Sequence, residues 1–211
     1  MDMLLFDAAN TLIHKPSLWE KIQKTLKKFN YQVEQRVIKE RHKLLSEIIN
    51  FPDRTDKDFY LNFNSELLLS LGIIPTNELL EELFNNCKYQ PWEAFDDCKF
   101  LNDINIKKAI ISNFNSSLIN LIDELIGVNI FSNIIISENE NTRKPELKFY
   151  QTAIEKLEIE ASEILYIGDS LKLDIIPAKK LGMNTLLIDR DNIYPNSEKR
   201  ISSFKELKKY I

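Results

Sequence analysis

The chain is poor in the residues that build special scaffolds. Two cysteines, Cys87 and Cys98, occur among 211 residues. They do not form a C-x-x-C pair, and two lone thiols suit a reducing cytosol better than a disulfide framework. Only four glycines occur, at positions 72, 127, 168 and 182, so each is a candidate for a backbone demand that other residues cannot meet. No apolar run approaches the roughly 18 residues of a membrane span. The apolar stretch at 3–6 is too short for a signal peptide, and Asp2 stands where such a leader carries basic charge. The net charge is −4, and acids are mixed among the lysines along the chain without a basic stripe. Nucleic acid is therefore a poor partner. The expectation is a cytoplasmic protein with neither a membrane nor a nucleic acid as partner, its oligomeric state left open.

What is present is a core. The composition is 44% hydrophobic, enough for one domain or a domain carrying an insertion. Residues 4–6 read as a buried strand ending in Asp7. A long helical stretch follows. Ser17 with Glu20 reads as a capping box ahead of Trp19, Ile22, Leu26 and Phe29. Helix-period apolar positions continue over 33–50, and Thr55 with Asp58 reads as another helix start, stopped at Gly72. A fourth helix is predicted from Thr76 to about Cys87.

After Pro91 the pattern alternates. A helix is expected at 94–103, a strand at 107–112, a helix at 115–126 and a strand at 133–137. Pro145 reads as the first turn of a helix to Leu157. A strand at 164–167 runs into Gly168-Asp169, a helix leads to Gly182, a strand covers 185–188, and Ser203 with Glu206 caps a short terminal helix. Strands alternating with helices predict an α/β fold: a Rossmann-like parallel sheet core, formed by 1–14 and 93–211, with an inserted all-helical cap domain at 15–92.

Ligands of open parallel sheets bind beyond the carboxyl ends of the strands. Asp7 ends the first strand and Ser112-Asn113 the second, Lys144-Pro145 follows the third, and Gly168-Asp169-Ser170 with Asp174 ends the fourth. Each feature alone is ordinary turn or cap chemistry. Together, in order, they resemble the haloacid dehalogenase-like hydrolases, in the subgroup with a helical cap after the first motif. The resemblance rests on 4–12 (Leu-Leu-Phe-Asp-Ala-Ala-Asn-Thr-Leu), on 109–113, on Arg143-Lys144-Pro145 and on 167–170 with Asp174.

The resemblance implies a site. Asp7 would be the nucleophile, forming a covalent intermediate that water hydrolyses. Lys144 would supply the cation for an anionic substrate, and Ser112 and Asn113 would bind the transferring group, expected to belong to a small phosphorylated metabolite. Magnesium would be held by Asp7, the backbone carbonyl of Ala9 and Asp169, a set of hard oxygen donors. Asp174 and Thr11 would support from behind. A few cap residues would close over the site and select the substrate.

One position departs from the family pattern. Its phosphatases carry a second Asp two residues after the nucleophile, and here Ala9 stands there. Three readings follow: a specialised phosphatase, with His14 as the nearest replacement donor; a different hydrolase; or a protein that keeps the fold without turnover. The second includes phosphonate cleavage through a cap lysine such as Lys39 or Lys43, or haloacid chemistry with Tyr150 and Arg41. Tyr150 reads as core packing on a helix face with Ile154, Trp92 as hinge packing, and Asp189 and Asp191 as a turn.

Overall fold

The computed structural model describes residues 1–211 as two compact units, Met1–His14 with Glu93–Ile211, and Lys15–Trp92. In the first unit a six-stranded, all-parallel sheet forms from β1 (Met3–Phe6), β4 (Lys107–Ser112), β5 (Asn133–Ile136), β6 (Ile164–Gly168), β7 (Asn184–Ile188) and β8 (Arg200–Ile201). The order is β5-β4-β1-β6-β7-β8, so the chain leaves β1 toward one edge and later resumes at β6 on its other side. β1 is thus the switch point of the topology. A separate two-stranded ribbon pairs β2 (Ile13–His14) with β3 (Glu93–Ala94).

The strands are apolar because both faces are covered. Met3, Leu5, Ala109, Ile111 and Tyr166 pack with Phe149, Tyr150 and Ala153 of α7 (Leu147–Leu157) and with Ala178 of α8 (Ile176–Lys180). The alternate residue Phe6 meets Phe131 and Phe204 edge-on, with ring centroids 6.4 and 5.6 Å away. The helical unit holds α1 (Ser17–Lys28), α2 (Gln35–Ser46), α3 (Lys57–Ser70) and α4 (Asn77–Cys87), around a core of Ile22, Leu26, Ile38, Leu67, Leu68, Leu79 and Leu83. The remaining helices of the first unit are α5 (Leu118–Leu125) and the short α6 (Ser137–Glu140). No helix is long and apolar enough to cross a membrane.

Several local expectations are corrected. Ser17 lies inside α1, behind Pro16, and its hydroxyl donates to Gln90 Oε1 at 2.8 Å instead of capping. The cap of α3 is Asp56, which accepts from Phe59 N–H at 2.8 Å, so the start lies one residue beyond Thr55. Pro145 precedes α7, whose cap is Glu146. Residues Asp96–Asp103 form a 3-10 helix, and the helix after Gly168 opens with a π turn over Leu171–Ile175, in which Ser170 O accepts from both Asp174 and Ile175. The β2–β3 ribbon and β8 are two-residue strands, too short for an alternation signal.

Candidate active site

Asp7 follows the switch-point strand directly, and its N–H donates to Ile167 O at 2.9 Å, which fixes it to β6. The chain then turns sharply. Ala8 O accepts from Thr11, Leu12 and Ile13 at 3.3, 2.8 and 3.0 Å, and Asn10 takes a left-handed conformation with φ 60°. This loop carries Ala9. Thr11 works through its backbone: its hydroxyl is buried without a hydrogen-bond partner, while its carbonyl accepts from Arg190 Nη2 at 2.9 Å.

Lys144 reaches the same point from the far side of β4. Its ammonium has three N–H groups, and three acceptors surround it: Asp7 Oδ1 at 2.6 Å, Asp174 Oδ1 at 2.7 Å and Tyr166 Oη at 3.3 Å. Asn113 places the lysine backbone, donating to Lys144 O at 2.9 Å and accepting from Lys144 N–H at 2.8 Å. The sequence reading gave Asn113 to the substrate; in the structure its side-chain amide bonds the backbone of Lys144. Ser112 Oγ donates to Asp7 Oδ1 at 3.3 Å.

Asp174 is an anchor. Oδ1 accepts from Lys144 and, at 2.8 Å, from Tyr166; Oδ2 accepts from Ser170 N–H at 3.0 Å. Gly168 makes that position possible, since a Cβ on it would lie 2.4 Å from Asp174 Cγ. Ligand oxygens of Asp7, Asp169 and Asp174 all lie within 4.8 Å of one another. The structure therefore brings together Asp7, Ser112, Lys144, Asp169 and Asp174.

Burial raises the Asp7 carboxyl above the usual carboxylate range, Lys144 offsets part of that, and Asp174 adds to it. Burial also works against the Lys144 charge, but Asp174 and Asp7 outweigh it and hold the ammonium above its ordinary value. The Tyr166 and Tyr150 phenols are pushed well up by burial and then by the Asp174 charge.

The other candidates have contacts of their own. Tyr150 is fully buried, its ring centroid 5.7 Å from that of Tyr166, and its hydroxyl donates to Leu173 O. The His14 ring stacks on Phe95 at 3.9 Å. Within the helical unit, Lys39 lies over the Trp19 ring, Lys43 pairs with Glu47 at 3.4 Å, and Lys15 sits 4.6 Å from the Trp92 ring centre. Asp189 caps its own turn, accepting from Ile193 and Tyr194 N–H at 2.8 and 2.9 Å.

Sequence reasoning missed Tyr166 and the pair Arg190–Asp97. The one hydroxyl in the run 164–167 was the signal for Tyr166. Arg190 grips Asp97 in two bonds of 2.8 and 3.0 Å, lies 3.8 Å over the Phe95 ring and holds the Asp7 loop through Thr11. No local pattern announces such a long-range pair.

The candidate site thus consists of a carboxylate at the switch point of a parallel sheet, a buried lysine against it and a glycine-backed acidic turn beside it. The family model described as haloacid dehalogenase-like hydrolase matches residues 4–188, and the chain belongs to that family. It is 28% identical over 121 residues to haloacid dehalogenase-like hydrolase domain-containing protein 3 of Danio rerio, covering 53% of this chain and 50% of that protein. It is 40% identical over 58 residues to a glyceraldehyde 3-phosphate phosphatase of Methanocaldococcus jannaschii, covering 28% of this chain and 25% of that one. The matched stretches thus span half or less of these curated relatives. A crystal structure of a HAD phosphatase from Thermococcus onnurineus aligns with TM-score 0.59 at 25% identity, covering 99% of this chain and 97% of that one.

Proposed function

We propose that the chain is a magnesium-dependent phosphohydrolase of small phosphorylated metabolites, with Asp7 as its nucleophile. The observation that carries this is the Lys144 ammonium 2.6 Å from Asp7 Oδ1, inside a carboxylate cluster at the switch point of the sheet. A carboxylate attacking a phosphoryl group brings two anions together, and a fixed buried cation offsets that repulsion.

The donor set fits magnesium. All the side-chain donors are hard oxygens, and ligand oxygens of three carboxylates lie within 4.8 Å of one another. Both Asp174 oxygens are engaged by Lys144, Tyr166 and Ser170. That leaves Asp7, Asp169 and the Ala9 carbonyl to hold the ion, with Asp174 behind them. When bound, the ion would neutralise charge developing on the phosphoryl oxygens. Lys144 holds Asp7 oriented, Ser112 offers its hydroxyl to the transferring group, and Asn113 keeps the lysine in place. The helical unit Lys15–Trp92 is read as the cap that selects the substrate.

The test is phosphate release from an aryl phosphate with and without magnesium. Release that needs the metal, stops with chelator and falls at least about 10³-fold in Asp7→Asn is expected. Equal release by Asp7→Asn, or release indifferent to chelator, would overturn the assignment.

A further inference from the structure

The ammonium, phenol and amide donors of Lys144, Tyr166, Tyr150 and Asn113 are engaged by protein acceptors, and this limits which leaving groups can depart. The ammonium of Lys144 donates to Asp7, Asp174 and Tyr166. The Tyr166 hydroxyl donates to Asp174 and that of Tyr150 to Leu173 O. The Asn113 amide donates to Lys144 O. In the loop that follows the nucleophile, the side chains of Ala8 and Ala9 are methyl groups, which carry no proton to give.

Resting on the reading of Asp7 as nucleophile, we infer that the substrates are acyl phosphates or phosphoanhydrides, compounds whose leaving group departs as a stable anion. An Asp7 oxygen attacks phosphorus, a P–O(Asp7) bond forms, and the P–O bond to the leaving group breaks. Its electron pair leaves with the carboxylate or phosphate, which needs no proton. Water then attacks phosphorus, the P–O(Asp7) bond breaks, and the Asp7 carboxylate is restored. The water proton passes to solvent and inorganic phosphate is released. With an acyl phosphate the first step exchanges one acyl phosphate for another, so it is close to thermoneutral. With an alkyl phosphate an alkoxide would have to leave unprotonated, and a positioned acid contributes about 10²–10⁴-fold to such a step.

The experiment compares kcat/KM for acetyl phosphate, a graded series of aryl phosphates and glycerol 3-phosphate, on the full chain with magnesium. The expected result is a steep fall with rising leaving-group pKa, with the alkyl ester at least about 10²-fold below acetyl phosphate. The Ala9→Asp variant is expected to narrow that ratio by raising the alkyl rate more than the acyl rate. A flat series, or equal turnover of alkyl and acyl phosphates by the natural sequence, would overturn the inference while leaving Asp7 as nucleophile intact. Turnover of the whole series surviving in Asp7→Asn would instead remove the nucleophile assignment.

Discussion

Arg190 ties together parts of the chain that are far apart in sequence. Burial works against the Asp97 charge, yet the guanidinium and the Ser203 hydroxyl hold that carboxyl below its usual range. Phe204 N–H adds a bond of 2.9 Å to the same oxygen as Ser203. Arg190→Met would strand Asp97 with too few partners, and removing one member of a buried pair costs about 3 kcal/mol. Denaturant unfolding should show that loss, with part of it recovered when Asp97→Asn is added. An unchanged midpoint would mean the pair contributes nothing. Gly168 acts by close approach instead. In Gly168→Ala the new methyl displaces Asp174, and Asp174 carries Lys144 and Tyr166 with it. Misplacement of about 1 Å can cost about 10²-fold in rate, so kcat should collapse with a much smaller change in melting temperature. Retained kcat would show that the Asp174–Lys144 contact is dispensable.

At the scale of elements, long periodic segments were legible and short ones were not. The strands of the sheet core read directly because burial on both faces forces continuous apolar runs, and the four helices of the second unit read from their 3.6-residue period. Two-residue strands and the π turn lack the length for any period. Caps misled where tertiary bonds competed, as at Ser17, whose hydroxyl goes to Gln90. Asp7, Ser112 and Asp169 were legible because each sits at a strand end, where an apolar run gives way to a polar residue. Tyr166 was hidden inside a strand, and Arg190 depends on partners up to 179 residues away. The helical unit also carries a pH response. Burial, with Lys43 nearby, lowers the His42 imidazole from 6.5 to about 4, and its ring lies 4.8 Å from Phe63 and 5.1 Å from Trp19. The unfolded chain takes up a proton there before the folded one does. The stability this group contributes is complete above about pH 6.5 and is lost as pH falls toward 4, by at most about 3 kcal/mol. His42→Phe should flatten that acid limb in unfolding curves taken between those two pH values. A slope equal to that of the natural sequence would place the titration elsewhere.

For the whole molecule, the family fold sets where chemistry can occur, and on the proposed reading the loop after Asp7 sets which chemistry. The six-stranded sheet converges four strand-end segments on one carboxylate, and Ala9 leaves that carboxylate without an acid–base neighbour two residues on. The step that needs water activated is then slowed along with the step that needs a proton, so a phosphorylated enzyme should persist long enough to isolate. The most direct measurement is acid quenching of the protein during turnover of acetyl phosphate with magnesium, followed by peptide mass spectrometry. A phosphoryl group on the Asp7 side chain, absent in Asp7→Asn, is the result this account predicts. Phosphate release with no modification at Asp7, or with the phosphoryl group on another residue, would contradict it.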